Sequence, residues 1–187
     1  MRAIVEKKLT DLVRERRATH AFNSAPVKER DLHWILRAGL EAPSSYNMQP
    51  WRFVVVRNPE QRKRLRSAAM NQEQVEQAPV VVVACGDTAG WKQDVEEIIQ
   101  VSREHGYVDD MWAQRKRANV SADLGSHPNI SMWVTKQTMI AATTMMWMAE
   151  ALGYDTGPME GSYEDKVREV LAIPNNVRVL FLLAIGH

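Results

Sequence analysis

Chemistry in this chain is concentrated in three short stretches. The first is Arg16-Arg17-Ala18-Thr19-His20-Ala21-Phe22. Two guanidiniums and an imidazole presented from one turn can form a forked phosphate site. The same cations can instead complement the negative end of a helix without any ligand. The second is Ala42-Pro43-Ser44-Ser45-Tyr46-Asn47-Met48-Gln49-Pro50-Trp51. Its prolines bias the residues before them away from helix. Between them, Ser44, Ser45, Asn47 and Gln49 offer uncharged donors and acceptors suited to the edge of a heteroaromatic ring. Read plainly, it is a polar helix-to-strand loop. The third is Asp155-Thr156-Gly157-Pro158-Met159-Glu160-Gly161-Ser162, whose glycines permit close backbone approach to a ligand.

The elements around these stretches follow from periodicity and capping. Thr10 is positioned to cap a helix over 11–17. Pro26 opens a second over 27–41, where Leu32, Ile35, Leu36, Gly39 and Leu40 define a core face. Trp51–Val56 and Val80–Cys85 are continuous apolar runs, expected to be strands buried on both faces. A helix over 60–70 separates them, followed by a polar, irregular 71–77. Residues 91–120 are charged, helix-prone and punctuated by Gly106, and 126–129 form a break. The long helix over 130–152 is apolar nearly all round, which places it in the middle of a domain or at a dimer interface. Gly153 ends it. Ser162 is expected to cap a helix over 163–172, and 177–185 is the last strand. One α+β domain spanning 1–187 around a small sheet is the economical reading.

Composition narrows the function. The net charge is +1, so no polyanion field is implied, and no nucleic-acid partner is expected. Lys136, Gln137 and Glu150 interrupt the apolar run of 130–152, which reads as a globular-core helix and not a membrane span. Residues 1–8 lack the apolar core of a secretory signal. A single cysteine, Cys85, excludes an internal disulfide and permits a reducing, cytoplasmic home. Its apolar neighbours indicate a buried thiol. No His, Asp or Glu spacing suggests a metal site. No Gly-x-Gly fingerprint supports a Rossmann domain.

In order and spacing, the three stretches together resemble the FMN-dependent nitroreductase family. The likeness extends to Lys136-Gln137 and to the closing Ala184-Ile185-Gly186-His187, and is weakest over 91–129. It implies a three-layer sandwich with a mostly antiparallel central sheet flanked by helices, in an intertwined homodimer with FMN at the interface. Arg16, Arg17, Ala18 and His20 fall on the phosphate motif. Pro43, Ser44, Ser45 and Asn47 fall on the motif that reaches the flavin from the partner subunit. Asn71, with Gln72 beside it, matches a position near the ribityl or pyrimidine side. Pro158, Met159, Glu160 and Gly161 would pack behind the ring, and Gln137 is a further candidate. The activity implied is hydride transfer from NADH or NADPH, ping-pong, to a nitroaromatic, quinone or similar small conjugated acceptor. A flavin sensor or carrier, or a dehalogenase-like flavin enzyme, is the rival reading.

Some residues depart from the family pattern. Ala18 replaces a usual serine, His20 stands where lysine or arginine is common, and no basic tail follows His187. A histidine stabilises charge on a reduced flavin only when protonated, near or below about pH 6.5. The flavin potential is therefore expected to depend on pH in a way that His20→Lys removes. Potentiometry across pH 5–8 giving the same slope in both proteins would refute this.

Overall fold

A computed structural model describes residues 8–187. Its elements are α1 (Leu9–Glu15), α2 (Glu29–Leu40), β1 (Trp51–Val56), α3 (Pro59–Ala68), α4 (Gln74–Gln77), β2 (Val80–Asp87), α5 (Trp91–Glu104), α6 (Asp110–Gly125), α7 (Ile130–Ala151), β3 (Asp155–Met159), α8 (Glu164–Leu171) and β4 (Val177–Gly186). The strands form one sheet in the order β1-β2-β4-β3, with each neighbouring pair antiparallel. The architecture is α+β in three layers.

The β2–β4 pair anchors the layers. Every residue of β2 is buried. Val80, Val82 and Ala84 face Ile35 of α2 and Met145 and Ala149 of α7. Val81, Val83 and Cys85 face Leu65 and Ala68 of α3, Val75 of α4 and Val167 of α8. Between Ala84 and Cys85 the pairing slips by one residue, from Phe181 to Val179. That bulge reverses the alternation along β4: Val177 and Val179 join the α3/α8 side, whereas Phe181, Leu183 and Ile185 join the α2/α7 side. Gly39 of α2 lets the helix close on α7, since a Cβ there would lie 2.8 Å from Met145 Cγ. A third cluster, including Val95, Ile99, Val120, Leu124 and Trp133, packs α5 and α6 onto the start of α7.

Several expectations are corrected. Trp51–Val56 is a strand, but its four middle residues are only half-buried. It is the edge of the sheet, and an unbroken apolar run does not distinguish edge from centre. Thr10 lies inside α1, with Lys8 at the N-cap position and no side-chain cap bond. Ser162 precedes Tyr163, which occupies the cap position of α8, again without a side-chain bond. The glycine-flanked stretch 155–162, for which no strand was expected, contains β3. Its Pro158 lacks an N–H and so suits an edge strand. The irregular 71–77 includes the short α4, and 91–120 divides into α5 and α6 around Gly106, whose φ is +69°. The expected break before α7 holds: Asn129 Oδ1 accepts the Met132 N–H at 3.0 Å. Among the described residues, no helix is long and apolar enough to cross a membrane.

The free edge of β3 receives the first chemical stretch. Ala18 bridges Thr156 in parallel, and the Thr19 N–H donates to the Thr156 carbonyl at 2.9 Å. This approach depends on Gly157, where a Cβ would sit 2.5 Å from the Thr19 carbonyl oxygen. Gly157→Ala is expected to push residues 16–22 off the sheet and to cost about 1–3 kcal/mol. An unchanged denaturant midpoint would refute it. Cys85 gives a second check. Burial first, then the Glu164 carboxylate, push its thiol up to about 12, against a smaller opposing pull from Arg168. An unfolded thiol ionises near pH 8.5. From there to about pH 12 the unfolded chain has lost a proton the folded chain keeps, so stability falls as pH rises. Native Cys85 should react with a thiol reagent at pH 8 about a thousandfold more slowly than in denaturant. Comparable rates would refute this.

Candidate functional site

The two adjacent arginines at the end of α1 do different things. Arg17 folds back, its Nη1 donating to the carbonyls of Arg14 at 2.6 Å and Arg16 at 2.8 Å. It completes its own helix terminus. Arg16 turns inward, its guanidinium 6.0 Å from the Trp147 ring centroid of α7. Its Nη1 is buried without a hydrogen-bond partner. A buried cationic donor with no acceptor costs free energy, and an anion would recover it. The Thr156 hydroxyl on neighbouring β3 is also buried and unpaired. Ala18 and His20 lie exposed along the same edge.

The end of β3 completes this neighbourhood. Met159 pairs with Leu182, and Glu160 and Gly161 continue past the sheet. Gln72 Nε2 donates to the Gly161 carbonyl at 2.7 Å and to that of Ala69 at 3.1 Å. Asn71 holds a left-handed φ of +57°, with its N–H on the Arg66 carbonyl at 3.0 Å. Arg16, Arg17, Ala18 and His20 thus flank the start of β3, whereas Pro158, Met159, Glu160 and Gly161, with Gln72 and the adjoining Asn71, form its far end. Sequence reasoning gave Gln72 only a secondary place and missed Thr156 and Trp147. Trp147 carries no signal on a helix that is apolar nearly all round.

Pro43, Ser44, Ser45 and Asn47 are elsewhere, at the head of β1. The turn is held by its own bonds. Ser44 Oγ accepts the Gln49 N–H at 2.9 Å, and Asn47 Oδ1 accepts from Gln49 Nε2 at 3.1 Å. Gln137 lies beneath this turn on α7, its Oε1 accepting the Ser45 N–H at 2.8 Å. The Tyr46 hydroxyl donates to Asp123 of α6, and that bond raises the Tyr46 pKa above the usual phenol value. Tyr46, Asn47 and Gln49 all have positive φ, at 57°, 56° and 45°. Strain of this kind collects at ligand-binding turns.

The two groups do not meet within one chain. β1 and β3 are opposite edges of the sheet, three strand spacings or about 14 Å apart. The turn lies at the Trp51–Gly86 level, and the Arg16 site at the level of Thr156, Ile185 and Val80. That is about 20 Å further along the strands.

Comparison with known proteins identifies the family. A sequence model of the Nitroreductase family matches residues 13–187. An NADH dehydrogenase of Thermus thermophilus is 34% identical over 175 residues, covering 92% of this chain and 83% of its own. An assigned NAD(P)H nitroreductase of Staphylococcus haemolyticus is 34% identical over 169 residues, covering 87% and 78%. Among solved structures, a protein of Exiguobacterium sibiricum, assigned as a nitroreductase and in complex with FMN, superposes with a TM-score of 0.88. It is 27% identical, covering 97% of this chain and 89% of its own. With the family match extending from α1 through β4, and so across both groups of site residues, this chain belongs to the nitroreductase family.

Proposed function

We propose that the whole chain acts as one flavin-binding domain, an FMN-dependent NAD(P)H oxidoreductase working as a homodimer. The observation that carries this reading is Arg16, whose buried Nη1 lacks an acceptor at the edge of β3. A phosphate would supply one, so the residues present fit FMN. When bound, FMN supplies a ring that accepts hydride from NADH or NADPH and returns it to a nitroaromatic, quinone or similar conjugated acceptor, in ping-pong order.

The chain's own residues bind and orient. Arg16 neutralises phosphate charge. The main chain at Glu160–Gly161, fixed by Gln72, would border the ring, and Asn71 would meet its polar side. Ser44, Ser45 and Asn47 are contributed by the second copy, because their own copy holds them more than 20 Å or so from Arg16. The surface supports pairing. Met132, Lys136 and Ile140 recur four residues apart on an exposed stripe of α7, and Leu9 and Val13 are exposed on α1. No side chain is required as a nucleophile. A single buried thiol fits a reducing, cytoplasmic setting.

The test is the absorbance spectrum of purified protein with FMN, before and after anaerobic NADH or NADPH. Flavin bands that bleach, and return on adding a quinone, are expected. Bound flavin that does not bleach would mark a carrier and overturn the oxidoreductase reading. Arg16→Met is expected to weaken FMN binding about 10- to 100-fold, the worth of a charge-assisted phosphate contact. An unchanged dissociation constant in a folded variant, checked by circular dichroism, would remove Arg16 from the site.

A further inference from the structure

On the outer side of the strained turn lies a cavity of about 400 Å³, lined by Tyr46, Asn47, Trp112, Arg115, Lys116 and Asn119. Four of these are on α6, and the helix is long enough to present Trp112, Arg115, Lys116 and Asn119 from successive turns. Lys116 is the unusual member. Only 7% of it is exposed, yet it forms no hydrogen bond or ion pair with any described residue. Its Nζ lies 4.8 Å from the Trp112 ring centroid. Desolvation lowers its pKa below the usual lysine value, a penalty that a bound anion would reverse. Arg115 lies exposed beside it. Both acids of α6 are engaged elsewhere: Asp110 pairs with Arg103, and Asp123 accepts from the Tyr46 hydroxyl. The cavity thus combines aromatic walls, amide donors and a cation without an anion.

We infer that this cavity is the acceptor subsite for a planar aromatic carrying a carboxylate, with Lys116 and Arg115 holding the carboxylate and Trp112 and Tyr46 flanking the ring. The assignment rests on the proposed function, which places Asn47 of the same turn at the flavin. The volume lies within the range of small-molecule pockets and suits a single substituted ring. The turn joins the two roles, since Tyr46 and Asn47 both border the cavity, Tyr46 ties it to α6, and Asn47 is a residue that the proposed function assigns to FMN. Lys116 is therefore a specificity determinant for acceptors, acting through KM.

The experiment compares 4-nitrobenzoate with 4-nitrobenzamide, a neutral acceptor of the same ring and similar size. FMN-loaded wild type, Lys116→Met and Lys116→Arg are assayed with both, and 4-nitrobenzoate binding to each is titrated by calorimetry. The kcat/KM ratio of benzoate to benzamide is expected to fall about tenfold in Lys116→Met, mainly through KM, and to be largely retained in Lys116→Arg. The dissociation constant for 4-nitrobenzoate should rise by a similar factor. Arg115→Gln, at the exposed rim, is expected to lower the ratio about threefold, and gives the same readout should Lys116→Met not fold. A ratio and a dissociation constant both unchanged within about twofold would overturn the inference. So would a loss of NADPH relative to NADH with the acceptor ratio unchanged, which would place the 2′-phosphate of NADPH on Lys116. Lys116-dependent binding of 4-nitrobenzoate without turnover of either acceptor would sink the oxidoreductase reading and keep the anion subsite. Turnover without discrimination would sink the subsite alone.

Discussion

The ladder between β2 and β4 sets the terms for everything else in this fold. Both strands are covered on two faces, by α2 and α7 on one side and by α3, α4 and α8 on the other. Helix packing of this kind leaves no room for a ligand over the sheet. Polar chemistry is displaced to the outer strands, where backbone groups remain free. Both edges are used. Residues 18 and 19 add themselves to β3, and the Ser44–Gln49 turn leads into β1. Opposite edges and opposite ends of a sheet cannot be joined by folding one chain more tightly. In the proposed homodimer a second copy brings the two groups together.

How much of this could be read from residues depended on the kind of signal. The apolar runs of β2 and β4 and the helical spacing in α2 were legible, because burial imposes them. The three chemical stretches were legible because Pro, Gly, Asn and paired Arg are rare combinations with definite backbone consequences. β3 was not. Its Gly157-Pro158 centre has no alternation, and it becomes a strand because β4 offers it a ladder. The caps assigned to Thr10 and Ser162 failed for a related reason: several nearby residues can open a helix, and packing selects among them. Arg16 and Arg17 show the limit most clearly. Adjacent and identical, they differ only in which way the helix end points them. Lys116 is similar, since it lies in a charged segment whose burial comes from the α5–α6 contact.

The strained turn deserves its constraints. Three residues with positive φ would relax in isolation, so the conformation is over-determined by its surroundings. Gln137 holds it from α7 and Asp123 from α6, while Ser44 and Asn47 close it internally. Its position is therefore coupled to α6. A shift of that helix would move Tyr46 and, through the turn, Asn47. The turn residues proposed to meet FMN and those that line the neighbouring cavity thus share one mechanical unit.

Arg16 links binding to folding. One of its nitrogens is held out of water with no acceptor, an arrangement that costs about 1–3 kcal/mol. The Trp147 face offsets part of this, since a partly desolvated cation over an indole is worth about 0.5–2 kcal/mol. What remains is a small debit in the free chain that a phosphate would remove. Preorganisation also matters: one guanidinium nitrogen is already desolvated and the group is held at the Trp147 ring, so less rotamer freedom is left to lose when an anion arrives. One such group can hold a phosphate more firmly than several exposed cations, each screened by water and salt. Any anion that binds there stabilises the native state in proportion to its concentration over its dissociation constant. The edge of β3, Gly157 included, is then more secure with a phosphate bound at Arg16.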